Sequence, residues 1–275
     1  ATVEKIALAN NIADPSKKFS VEPSIAQKMV DAVQQSSEFL KKINIQPVVD
    51  LEGEAIGLNQ ASTIAGRTNT KGGTPRKPVD PTGLESNTYK CAKTDFDVAL
   101  RYEKMDAWAR FPDFYAKWKA FVERAIALDM IMIGWNGKSV AVTTDRNANP
   151  LLQDVNIGWL EKIRTFAPER HIDELVIGAS REFKNIDALV EMAVNDLIAE
   201  QFRDNSDLVV ITSRGLVTDK YQNLINQTLA PTEQAAANAL YQKKQLGTLP
   251  VDTPAYFPAN GLLITSYDNL SIYQQ

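Results

Sequence analysis

The stretch GRTNTKGGTPRKPVD (residues 66–80) decides how the whole chain is read. No Asp or Glu occurs from Ala55 through Val79, yet Arg67, Lys71, Arg76 and Lys77 all fall there among glycines and prolines. A segment this poor in large apolar residues cannot bury enough surface to fold by itself. Extended sequence flanks it. INIQPVVDLEGEAIGL (43–58) reads as an extended run broken at Gly53 and Gly57. Phe96, Val98, Leu100 and Tyr102 alternate strictly, the pattern of a half-buried strand. The expectation is a hairpin with an oversized tip over Asn59 to Asn87. Each limb of about 15 residues could reach at most about 50 Å. A loop this long inside a compact domain is usually functional or a linker.

The 275 residues suffice for one large domain or two modest ones. Hydrophobic residues are 44% and charged residues 23%, an ordinary globular mix, and the net charge of −4 gives no overall reason to expect a nucleic-acid binder. Any basic function is local. Cys91 is the only cysteine and His171 the only histidine. An internal disulfide is therefore impossible, a reducing compartment fits, and a four-ligand Cys/His zinc site is excluded. The longest apolar run, AIALDMIMIGW (125–135), is far below the roughly 20 residues of a membrane helix and contains Asp129. No signal-peptide pattern opens the sequence. The chain starts at Ala1 and stops at Gln275 after a strand-like run, which reads as an interrupted domain.

Elsewhere the periodicities are helical or mixed. Residues 1–20 read as a polar arm, and 21–43 as a helix with Ile25, Met29, Val33 and Leu40 on one face. FPDFYAKWKAFVERAIALDMIMIGWNG (111–137) is the clearest helix, opened by Pro112 and stopped by Gly134 and Gly137. Its apolar face is read as Phe114, Trp118, Phe121, Val122, Ala125, Leu128 and Met132. A loop-rich stretch follows, with a helical turn over 158–164 and a short strand at DELVIG (173–178). REFKNIDALVEMAVNDLIAE (181–200) is a second helix, with Phe183, Ile186, Leu189, Val190, Ala193 and Leu197 on one side. DLVVIT (207–212) is a buried-strand run, GLVTDKYQNLIN and PTEQAAANALYQKK are helical, and 246–275 returns to strands and turns. Alternating helices and strands imply an α/β or α+β layer.

Enzyme chemistry finds little purchase. Gly137-Lys138-Ser139 resembles the end of a phosphate-binding loop, but Met132 occupies the required glycine position and a helix precedes it. His171 with Asp173 could be a base and its orienting acid, but no nucleophile elbow exists, and a surface or structural histidine is favoured. Asp95 and Asp97, two apart on the expected strand, share a face; Lys90, Lys93 and Arg101 beside them favour a solvated charged surface over a metal pair. Cys91 reads as a small buried hydrophobe. The basic tongue has three readings: a linker, a nucleic-acid contact, or a contact with another protein chain. A linker joins domains, not two strands. Nucleic-acid binding wants aromatic stacking partners, which the tongue lacks. The third reading also accounts for the long helix and the polar arm, giving an assembling structural protein with an exchanged hairpin.

KKFSVEPSIAQ (17–27), NGKSVAVTTDRNANPLLQDVNIGWLEKIR (136–164), DLVVI with DKYQ (207–211 and 219–222) and YFPANGLLITSYDNLSIY (256–273) resemble the major capsid proteins of Peduovirus-type, phage P2-like tailed bacteriophages and prophages. The resemblance implies an α+β Hong Kong 97 fold. Residues 1–47 would be the N-terminal arm and helix, and 48–103 the extended hairpin loop. A peripheral domain with a spine helix would span 104–164, an axial domain 165–250, and a return to the peripheral domain 251–275. Capsomer-centre loops are expected at 200–206 and 226–236, and family chains continue past NLSIY. The implied function is a self-assembling head of hexamers and pentamers around double-stranded DNA, formed in the bacterial host cytoplasm and ending as the virion capsid. The implied partners are other copies, an internal scaffold that is also a protease, a portal, and DNA held without sequence specificity. Catalytic site, cofactor, metal and membrane play no part. Arg67, Lys71, Arg76 and Lys77 would form the subunit-interface tip. The alternatives are an encapsulin-type compartment, a soluble α/β enzyme using Asp95, Asp97 or His171, and a tail or baseplate protein.

Overall fold

A computed structural model of the chain describes residues 31–60, 64–65, 67, 76, 78, 80, 82–103, 105, 113–178, 181, 183–225 and 244–275. Two compact units result: Ala1–Ile45 with Thr94–Ile272, and Gln46–Lys93 with Tyr273–Gln275.

The larger unit is organised by strand β4, Val209–Thr212, all four residues of which are buried. Three further strands join it: β5 (Gln245–Leu246), β6 (Leu249–Asp252) and β7 (Leu262–Thr265), in the order β5-β6-β4-β7. β4 runs parallel to β6 and antiparallel to β7, and β5 is antiparallel to β6. Side chains alternate along a strand, so β4 faces two ways. Val209 and Ile211 enter one core with Phe39, Leu40, Ile131, Trp135 and Phe257. Val210 enters another with Ile186, Val190 and Leu246. Burial on both faces is why this run is apolar without alternation. The strand ends where Thr212 Oγ1 donates to the Gly261 carbonyl at 2.8 Å and Ser213 Oγ to that of Ala259 at 2.6 Å.

Helix α1, Phe114–Asn136, has 23 residues and is about 35 Å long. Its buried stripe is Ala127, Ile131 and Trp135, spaced four apart. Trp135 sits edge-on to Trp159 and Phe257 at 4.7 and 4.9 Å and tilted on Phe39 at 5.4 Å. Helix α2, Trp159–Phe166, starts on top of the end of α1. Backbone meets backbone there. A Cβ on Gly158 would lie 2.6 Å from the Ile133 carbonyl oxygen, and one on Gly137 would run into the Asn156 carbonyl. Gly134, inside α1, lies beneath the Trp159 ring. Helix α3, Ile186–Leu197, is capped by Asn185, whose side chain accepts from the Ala188 amide at 2.9 Å. The short α4 (Glu200–Arg203) and α5 (Arg214–Ile225) follow.

Several sequence expectations are corrected. The helix expected to reach 43 ends at 35, and a 3-10 turn, Leu40–Lys42, carries Leu40 into the core. Gly134 does not stop α1, and Phe183 lies outside α3 because Asn185 caps it. Residues 96–102 form no strand, and Val98 and Tyr102 are 50% and 80% exposed. DELVIG contributes only an isolated bridge, Ile177 to Phe183. In both places the apolar pattern was present, but among the described residues no continuous strand ladder forms beside it. Gly53 and Gly57 lie within a strand, and the break falls at 48–51. The helix expected at PTEQAAANALYQKK lies outside the described residues.

One polar cluster ties the 3-10 turn to the sheet. Lys42 Nζ and Tyr267 Oη both donate to Asp252 Oδ2, at 2.6 and 2.5 Å. Burial pushes the Asp252 carboxyl up, but these hydrogen bonds outweigh it and hold it below its usual value. Burial alone would lower Lys42; Asp252 reverses this and raises it. Burial and the Asp252 carboxylate push Tyr267 up to about 12.

Gly158→Ala should cost several kcal/mol, on the order of 2–4, because backbone must move. Gly178→Ala, whose Cβ would meet only the Arg181 side chain at 3.4 Å, should be near neutral. Urea denaturation of the two variants checks this contrast.

The polar cluster sets a pH window. Asp252 stabilises the fold above the unfolded carboxylate pKa of about 4 and stops doing so as pH falls through its lower folded value. Lys42 stabilises below its unfolded pKa of about 10.4, and that is lost as pH rises through its raised folded value. Tyr267 keeps its proton in the fold while the unfolded chain loses it near pH ~10, so stability declines from there towards pH ~12. Asp252→Asn should lower stability at neutral pH by about 1–2 kcal/mol and flatten the acid limb, read from denaturation midpoints between pH ~3 and ~11.

Candidate subunit interface

The smaller unit is a ribbon. Strand β2, Glu52–Gln60, pairs antiparallel with β3, Thr82–Lys90, from Glu52 opposite Lys90 to Gln60 opposite Thr82. Nine residues per strand give an arm of about 30 Å. The hairpin limbs are thus 52–60 and 82–90, and the tip is shorter than Asn59 to Asn87. A two-stranded hairpin alone is marginally stable in water. Here its base is fastened within the unit. Gly53 faces Tyr89 across the pair, and the Tyr89 ring lies over the space a Gly53 side chain would fill. This aromatic cover lets a glycine persist in the strand. On its other side Tyr89 stacks on Tyr273, with ring centroids 4.5 Å apart and planes 10° apart. Lys90 pairs with Glu52, the Cys91 amide donates to the Leu51 carbonyl at 2.8 Å, and the Val48 amide donates to that of Gln274 at 2.8 Å.

Of the four basic tip residues, Arg67 and Arg76 are exposed, while Lys71 and Lys77 lie outside the described residues. Ile64, on the same tip, is 73% exposed. Other apolar side chains face outward too. Val49 and Leu51 do so at the hairpin base. In the larger unit Val140, Val142, Leu151 and Ile157 are exposed on the loop after α1, and Leu175, Val176 and Ile177 on the DELVIG segment. That loop is held rigid from within: the Asp154 carboxylate accepts from the Asp145 amide at 2.8 Å, and Asp145 accepts from Asn147 at 2.8 Å.

The residues considered for catalysis are not assembled into a site. The backbone amides of Lys138 and Ser139 both donate to the Gln153 carbonyl, at 2.7 and 3.1 Å, so they are not arranged around an anion. His171 Nε2 lies 3.3 Å from Asp173 and accepts from Arg164 Nε at 3.4 Å in an exposed charged cluster. Asp95 and Asp97 do not share a strand face, because no strand forms there. Cys91 follows β3, and burial pushes its thiol up. Among the described residues no group of three or more His, Cys, Asp or Glu is placed to hold a metal ion, and no helix is long and apolar enough to cross a membrane. The sequence missed the Tyr89–Gly53 and Tyr273 contacts; an aromatic two residues before the only cysteine gave no signal of its own.

A two-stranded ribbon without a core and outward apolar side chains are features found in structural assembly proteins. The model of the family "Phage major capsid protein, P2 family" matches residues 1–275, and the chain belongs to that family. Among curated relatives, "Capsid proteins" of Escherichia phage P2 is 41% identical, covering 99% of this chain and 80% of the relative. "Major capsid protein" of Serratia phage KSP20 is 38% identical, covering 94% and 77%. Among solved structures, a chain of "Satellite phage P4 procapsid including size determination (Sid) protein" superposes with a TM-score of 0.81 at 39% identity, covering 99% of this chain and 84% of that one. The protein is thus a structural capsid protein with a mixed α/β capsid fold, located in the virion shell.

Tyr89→Ala should loosen the hairpin base without melting the larger unit. Trypsin should cut at Lys90 and Lys93 at least about tenfold faster, at an unchanged melting temperature.

Proposed function

We propose that this chain builds the icosahedral head of a tailed phage as hexamers and pentamers, in the Hong Kong 97 arrangement. In this reading α1 is the spine helix, 48–103 the extended loop, 1–47 the arm, and 165–250 the axial domain. Residues 104–164 and 251–275 make up the peripheral domain. The loop reaches onto a neighbouring subunit, with Arg67, Lys71, Arg76 and Lys77 at the contact. The observation that carries this is the β2–β3 ribbon: about 30 Å of paired strand, ending in a segment free of acids from Ala55 through Val79. A two-stranded basic arm without a core gains its stability from contact with another surface. The phage relatives weigh against an encapsulin-type compartment. An internal scaffold-protease, a portal and packaged DNA complete the proposed set of partners in the host cytoplasm.

Replacing Arg67, Lys71, Arg76 and Lys77 together by Gln should abolish closed shells while leaving the subunit folded. Negative-stain microscopy and light scattering should show at least about a tenfold loss of particles, at a melting temperature within about 2 °C of the parent. Normal shells from this variant would refute the interface.

A further inference from the structure

Two exposed patches of the larger unit carry opposite charge beside similar apolar side chains. The first is on the loop after α1. Val140 and Val142 are exposed there, Val142 fully, in a stretch that also exposes the cations Lys138 and Arg146. The acids of this loop are spent on backbone amides. Asp145 Oδ1 accepts from Asn147 and Ala148 at 2.8 and 3.3 Å, and the buried Asp154 accepts from Asp145. Among the described residues no salt bridge engages Lys138 or Arg146. The Ala141 amide donates to the Asp154 carbonyl at 2.9 Å, and Leu152 is held at φ 56°, a left-handed backbone that a branched side chain rarely adopts. The second patch is 172–177. Leu175, Val176 and Ile177 are exposed, Val176 to 57%, beside the exposed acids Asp173 and Glu174. Glu174 is also left-handed, at φ 59°, and forms no salt bridge among the described residues; Asp173 lies 3.3 Å from His171. Strained backbone kept in two exposed loops is kept for the surface it presents. Within one copy no hydrogen bond joins the two patches among the described residues.

We infer that the two patches meet between successive copies of this chain, with Val140 and Val142 of one against 175–177 of the next, and Lys138 and Arg146 facing Asp173 and Glu174. Charge selects this occupant. Across a two-fold axis each patch would meet itself, cations against cations or acids against acids, and like charges brought together disfavour such a contact. Each patch complements the other instead, and a contact between two different patches runs head to tail. Head-to-tail contacts repeated by rotation close into rings. A loop fixed by its own hydrogen bonds also loses little freedom when it is covered. This inference rests on the hexamers and pentamers proposed above. It adds a contact independent of the hairpin, because both patches belong to the larger unit.

The test uses the full chain with Cys91→Ser, assembled in cells that supply the remaining head proteins. Val142→Cys combined with Val176→Cys should give, on oxidation of the particles, a ladder of covalent multimers that ends at the hexamer on non-reducing gels; neither single variant should. Particles that assemble without a ladder overturn the contact. A ladder running past the hexamer does so too, since it places the contact between rings. Disulfide dimers from either single variant overturn it by showing a patch paired with itself. A disulfide from Val142→Cys to a different head protein, identified by mass spectrometry, overturns it by giving the patch another occupant. Where the cysteine pair yields no particles, charge exchange decides. Lys138→Glu and Glu174→Lys should each lower the yield of shells about tenfold, at a melting temperature within about 2 °C of the parent, and the double exchange should recover most of the loss. Unchanged yield from Glu174→Lys, or no recovery in the double exchange, overturns the contact and leaves the proposed rings standing. A parent chain that forms neither rings nor shells overturns the rings themselves, and this contact with them.

Discussion

Burial of one strand on both faces is the constraint on which the larger unit depends. Val209 and Ile211 look into the core built by α1, Phe39 and Phe257; Val210 looks into the core under α3. Neither layer can shift by one residue along β4 without exchanging the two sets, because the side-chain period is two. Everything attached to β4 inherits that register. Thr212 and Ser213 close its end onto Gly261 and Ala259, and β6 carries Asp252 to meet Lys42. Trp135 and the glycine contacts then fix α2 against α1 at backbone distance, which no side chain could occupy.

The ribbon is the opposite kind of object. Two strands have two faces and no interior, and among the described residues this one is fastened at its base by Tyr89 and Tyr273. The sequence towards its tip agrees: Ala55 through Val79 holds four cations and no acid. A two-stranded arm without a core of its own is stabilised by contact with another surface. The capsid family to which the chain belongs is consistent with such a contact.

Legibility followed the source of the stabilising contact. β4 was legible because its burial requires four consecutive apolar or small residues. α1 was legible in length but not in orientation. It is apolar on both sides, and periodicity selected Phe121, Ala125 and Leu128 over Ala127, Ile131 and Trp135. The strand expected at 96–102 failed because alternation reports half-burial, whereas a strand also needs a neighbour; β2 took 82–90 instead. Gly53 was read as a break because nothing local announces that Tyr89 will cover it. The basic tip was visible as composition.

Hydrogen–deuterium exchange, compared between free subunits and assembled shells, tests the central claim most directly. The amides of 209–212 should be slow in both states, because their protection is internal. Those of 52–60 and 82–90 should exchange quickly in the free subunit and slow by at least about a hundredfold in the shell, where a neighbour completes the ribbon. Equal exchange of the ribbon in both states would contradict the account, since it would mean that the arm needs no partner.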